Sequence, residues 1–201
     1  MRSSGLARWG GSAALLGGLL LVVYAVGTAM IPDSVGESAG HALYHVFNAP
    51  PNALLAVGIA GLYVYLRRGG RFGIVGKVGF WMCAVVFALT AVGGVGIIVS
   101  EMTLGGAGVA VLDIIHPMLL LLMLGAILFG IGALRAGDLP RGGAIIVLAA
   151  PIALLATFFA GVEAEWAFSA GMAVFGLGWA WLGYGLRSRQ MDESTLVRPA
   201  I

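Results

Sequence analysis

Glu37, His41 and His45 stand four residues apart, so on an α-helix their side chains line one face. Asp113 and His116, three apart, are also helical neighbours, and Glu101 lies a short way before them. Imidazole and carboxylate are ligands that zinc, iron and manganese accept. Gathered at one surface, His41, His45, Asp113 and His116 with Glu37 or Glu101 would form a site for a divalent transition metal. Three protein ligands plus a bound water would suit such a site to hydrolysis. A bis-His haem would use His45 and His116. A structural reading competes and is preferred. In it Glu37, His41 and His45 form the wet face of a short interfacial helix. Asn48 and Asp113 cap helix starts, and Pro50, Pro51 and Pro117 occupy first helical turns.

The elements that would position these residues are visible in the distances between charges. The chain has 201 residues, of which 60% are hydrophobic and only 10% charged, whereas soluble domains hold about a quarter charged residues. Arg8 and Asp33 enclose 24 residues without Asp, Glu, Lys, Arg or His; His45 and Arg67 enclose 21, and Lys77 and Glu101 enclose 23. Asp113 to Arg135 (which includes His116), Arg141 to Glu163 and Glu165 to Arg187 each enclose 21 more without Asp, Glu, Lys or Arg. A helix needs about 20 apolar residues to cross the hydrocarbon core. Strands of a membrane β-barrel would alternate over about ten residues, so these runs are read as helices.

All 11 basic residues fall before the odd-numbered runs or after the even-numbered ones, on what would be one side of a bilayer. Asp33, Glu37, Glu101, Asp113, Glu163, Glu165 and the three histidines fall on the other. Lys and Arg stay on the cytoplasmic side, which predicts both termini there. Trp9, Tyr63, Tyr65, Trp81, Trp179, Trp181 and Tyr184 lie toward that side and read as an interfacial belt. The fold class expected is therefore all-α, a polytopic transmembrane bundle of six spans, N-in and C-in. The spans are expected at 10–31, 47–66, 78–100, 114–134, 143–162 and 166–186 of a single domain over 1–187. An interfacial helix is expected at 34–47 and an irregular cytoplasmic tail over 188–201. Arg2, Arg8 and the small residues Gly27 and Ala29 also suit a signal peptide, but the first apolar run exceeds a usual signal core and reads as a retained span.

A shift of 68 residues lays Leu66-Arg67 and Gly69 over Leu134-Arg135 and Gly137. A further shift of 52 lays Leu134-Arg135 over Leu186-Arg187 and Asp113 over Glu165. Three related helix hairpins would give this pattern, although topology alone also places polar residues and basic flanks at span ends.

Several function classes are disfavoured. Cys83 is the only cysteine, so neither an intrachain disulfide nor a multi-cysteine metal motif is available. The basic residues lie in short juxtamembrane clusters and give no support for nucleic-acid binding. No charged residue sits mid-span, where ion-coupled transporters place one. Thr28, Thr90, Ser100, Thr157 and Ser169 read as helix-packing hydrogen-bond formers, and Gly93, Gly94 and Gly96 as packing positions or a bend. The 33 glycines suit close helix approach. The expected role is a non-enzymatic accessory, scaffolding or sensory component of a cell membrane, with the bilayer and a second copy or another membrane protein as partners. The alternatives are an outer-face metal-binding protein or metal-dependent enzyme, and a permeation pathway for a small solute.

Overall fold

The computed structural model describes the backbone of residues 5–30, 37–104, 109–160 and 165–196, and side chains within 9–30, 47–96, 118–160 and 166–191. Among these residues there are six helices and no strands: α1 (Gly5–Met30), α2 (Glu37–Arg68), α3 (Gly73–Leu104), α4 (Val109–Ala136), α5 (Arg141–Phe159) and α6 (Glu165–Leu196). Each packs on its neighbours in the chain, and α6 closes the ring on α1. Consecutive helices are antiparallel. Gly10 meets Gly61 while Gly17 meets Leu54 and Leu55, and Gly76 meets Gly132 while Met82 meets Gly125.

Glycine spacing determines how closely the helices approach. Gly11 and Gly18 on α1 face Gly183 and Gly176 on α6, a seven-residue interval on both helices. A seven-residue repeat keeps one face in register along a left-handed helix pair. A Cβ placed at Gly18 would lie 2.5 Å from Ala180 N, and one at Gly176 2.7 Å from Gly18 O, so backbone rests on backbone. Between α3 and α4, a Cβ at Gly132 would lie 2.5 Å from Gly76 Cα. Lipid supplies no hydrophobic force between helices, so such close van der Waals contact is what holds them. The expectation drawn from glycine abundance is met at these seams.

Among the described residues, five helical stretches are long and apolar enough to cross a membrane: Trp9–Met30, Phe47–Arg68, Gly73–Gly96, Met118–Ala136 and Arg141–Phe159. Their outward faces carry exposed Leu20, Val92, Leu124 and Ile152, which suits a lipid bilayer. The stretch expected as a sixth span lies in α6, where Arg187, Arg189, Gln190, Asp192 and Glu193 lower the mean hydropathy of the whole helix and Gly, Ser, Trp and Tyr that of 166–186. Its environment explains the composition. Helix α6 buries Phe175, Trp179, Ala180, Leu182 and Leu186 and packs against α1, α5 and, more lightly, α2. A helix faced by protein on several sides needs fewer lipid-soluble side chains.

The turns close one end of the bundle. Helix α4 stops at Gly137, which takes φ +73° and donates its N–H to Ala133 O at 3.2 Å, a left-handed helix cap. Phe72, in the α2–α3 turn, and Leu139, in the α4–α5 turn, both turn inward and are buried. The two turns meet where Asp138 lies against Gly69, whose Cβ would fall 2.7 Å from the carboxylate.

Two boundaries depart from expectation. The sequence separates 34–47 from 47–66, yet the helix is continuous from Glu37 to Arg68 with Pro50 and Pro51 inside it. Breaking a helix in apolar surroundings exposes several peptide groups, a larger cost than the hydrogen bonds two prolines remove. Helix α4 contains the expected span 114–134 and begins before it, at Val109. Where an irregular tail is expected from 188, α6 continues to Leu196. No Gly or Pro follows Arg187 before Pro199, and Arg, Gln, Met and Glu are good helix formers.

Candidate functional site

The described interior is built around Trp179. Its indole is fully buried, with ring centroids 5.8 Å from Phe87 on α3, 5.3 Å from Phe129 on α4 and 5.8 Å from Phe175 on α6. The Phe87 and Phe175 rings stand edge-to-face to it, at 79° and 80°, the arrangement aromatic quadrupoles favour. Phe129 continues to Phe72 at 5.5 Å, and Phe72 to Tyr63, which stacks on Phe80 at 4.0 Å. Aromatic side chains of α2, α3, α4 and α6, with Phe72 of the α2–α3 turn, thus fill the described middle of the bundle. Trp179 Nε1 is buried without a hydrogen-bond partner, a cost of about 1–3 kcal/mol for a neutral donor that lies against large apolar contact. The sequence placed Trp179 in an interfacial belt; it is instead the centre of the core. Trp9, Trp81, Trp181 and Tyr184 are exposed, whereas Tyr63 is half-buried in the α2–α3 aromatic contact.

Polar groups inside are few. Asn52, 6% exposed, is the buried polar residue among those described. Its Nδ2 donates to both the backbone O and the Oδ1 of Asn48, each at 2.7 Å. Asn48 therefore lies within α2 next to the prolines, not at a helix start. Asn52 was missed in the sequence; its signal was a second amide four residues after Asn48, one helical turn on, in an otherwise apolar run. Thr28 Oγ1 donates to Ala25 O at 2.9 Å and Thr157 Oγ1 to Leu154 O at 2.8 Å. Both satisfy carbonyls of their own helix and do not bridge to another. The buried Cys83 thiol reaches Leu122 O on α4 at 3.8 Å, a weak donor contact.

A methyl group added at Gly93 or Gly96 would meet nothing within 4 Å, so among the described residues no packing partner accounts for these two glycines. Gly94 beside them is buried. Asp138 neither caps α5, whose N-cap is Pro140 without a side-chain bond, nor forms an ion pair among the described residues.

Of the proposed metal ligands, Glu37, His41 and His45 belong to the start of α2, Glu101 to the end of α3, and Asp113 and His116 to the start of α4. Topology brings these helix ends to the same end of the bundle, away from the turns carrying Arg71 and Asp138. Helix α3 stands between α2 and α4 in the ring. The side chains of all six lie outside the described residues. Among the described residues no group of three or more His, Cys, Asp or Glu is placed to hold a metal ion.

At the opposite end, a cavity of about 460 Å³ is bordered by Val64, Arg67 and Arg68 near the end of α2. No family model, no curated protein and no solved structure matches this chain.

Proposed function

We propose that this chain is a six-span protein of a cytoplasmic membrane, with both termini in the cytoplasm, acting as a non-enzymatic scaffolding, accessory or sensory component. The filled bundle axis carries this reading. A permeation pathway needs a polar or hollow axis, whereas here Trp179, Phe87, Phe129 and Phe175 occupy the middle and Phe72 and Leu139 cover one end. The described core also offers no Asp, Glu, Lys, Arg or His for acid–base or transport chemistry. Helix α6 is counted as the sixth span because it runs antiparallel to both α1 and α5 along glycine seams. The distribution of Arg67, Arg68, Arg71, Lys77, Arg135, Arg141, Arg187 and Arg189 supports the orientation.

The test is cysteine accessibility in a Cys83→Ala background, with Arg71→Cys, Arg141→Cys and Glu163→Cys. An impermeant maleimide should reach only the Glu163 position in intact cells and all three after lysis. Labelling of Arg71→Cys in intact cells would reverse the topology. Function is tested in proteoliposomes and by metal analysis. Solute or ion flux above that of empty vesicles would replace the scaffold reading, as would stoichiometric metal lost in both His45→Ala and His116→Ala.

A further inference from the structure

Beside the end of α2 a half-open depression is bordered by the apolar Val64 and by two cations, Arg67 and Arg68. Arg67 and Arg68 follow Val64 by three and four residues, so both share its face of the helix one turn further on. Both arginines are exposed, and neither has an ion-pair partner among the described residues. Asp138, the acidic side chain described at this end, rests against Gly69 and does not border the cavity. The depression is half-open and holds about 460 Å³, room for a headgroup that stays at the membrane surface. Adjacent guanidiniums match the oxygens of a phosphate, which each can engage with two N–H donors.

We propose that this cavity binds the headgroup of an anionic phospholipid, with the phosphate on Arg67 and Arg68 and the glycerol and upper acyl chain against Val64. A free phosphate would use only the two cations. A phospholipid matches both parts, and basic pockets at the cytoplasmic ends of membrane helices are where such headgroups lodge. The proposal rests on the membrane reading above and adds a specific lipid partner to it. Binding there would tie the end of α2 to the leaflet that is richest in anionic lipid.

The test uses the full chain, delipidated in a neutral detergent, with dioleoylphosphatidylglycerol, dioleoylphosphatidylcholine and inorganic phosphate as separate probes. Native mass spectrometry and the thermal midpoint are read together. The phosphatidylglycerol should stay bound and raise the midpoint, while the phosphatidylcholine should do neither. R67Q/R68Q should bind the anionic lipid about thirtyfold more weakly, taking about one juxtamembrane charge contribution from each arginine. R135Q/R141Q removes the same charge elsewhere at this end and should leave binding unchanged. Equal weakening in both double variants would overturn the site in favour of general surface attraction. Displacement of the lipid by inorganic phosphate would overturn the lipid as occupant. Should the glutamine pair not fold, R67K/R68K gives the same contrast: weaker binding than the unaltered chain supports the arginine forks, and unchanged binding overturns them. A chain that stays soluble and monodisperse without detergent would instead defeat the membrane reading, which none of the lipid outcomes does.

Discussion

Helices α1 and α5 both lie beside α6, and they meet it differently. Along α1, Gly11 and Gly18 face Gly183 and Gly176, with main-chain atoms of both helices in contact. Along α5, glycines of α6 receive side chains: Gly178 faces Ile146 and Val147, and Gly171 faces the end of Leu154. Contact is correspondingly more extensive at the α1 seam. A seam of main chain against main chain has no means of adjustment, whereas branched side chains in glycine hollows can change rotamer. Tolerance to added volume should therefore differ sharply on two faces of one helix.

Substitutions can break or sharpen that contrast, each read as a shift in unfolding in detergent. Trp179→Ala removes the side chain on which both halves of the ring converge and should cost about 4 kcal/mol, in the range of buried Trp truncations. Gly183→Ala puts a methyl into the main chain of Leu15 and Gly11, and should cost about 2 kcal/mol by overpacking. Gly171→Ala meets only the movable tip of Leu154, so its cost should stay below about 1 kcal/mol. Equal losses at positions 183 and 171 would abolish the distinction between the seams. Gly96→Ala, with nothing within 4 Å, should raise stability slightly, by up to about 1 kcal/mol from helix propensity alone. A clear loss there would mean that this face of α3 is covered by residues outside those described or by another chain.

The helices themselves were legible because charge is expensive in lipid, and the spacing of Arg, Lys, Asp and Glu marks where each apolar run ends. It does not mark where a helix ends: Lys77 and Glu101 are inside α3, and Asp113 is inside α4. Partner choice was hidden. Gly18 and Gly93 look alike in a sequence, yet one abuts Ala180 and the other has no neighbour among the described residues. Trp179 and Trp181 are two residues apart, so they point to different sides of α6, one fully buried and the other exposed. Apolar surroundings outside the helix hid that difference, since a lipid-facing position and a core position both accept tryptophan. For the three hairpins, the ends superimpose better than the seams do. The shifts that align Leu66-Arg67 with Leu134-Arg135 and Leu186-Arg187 set Gly58 over Ala126 and Gly125 over Leu177. The proposed metal ligands were legible only as a spacing along helices, and spacing does not say whether helices two places apart in a ring bring their ends together.

The contact between α1 and α6 also bears on how the protein is assembled during translation. Of the six helices, the earliest made depends on the latest made for its most extensive seam. Until α6 leaves the ribosome the nascent chain is an open arc, and the glycine track of α1 has only α2 beside it. Long-range closure of this kind is slow and leaves unfinished surfaces available to other proteins. A ribosome that stalls before Gly176 would release an arc whose Gly11–Gly18 edge has no mate, a ready mark for membrane quality control.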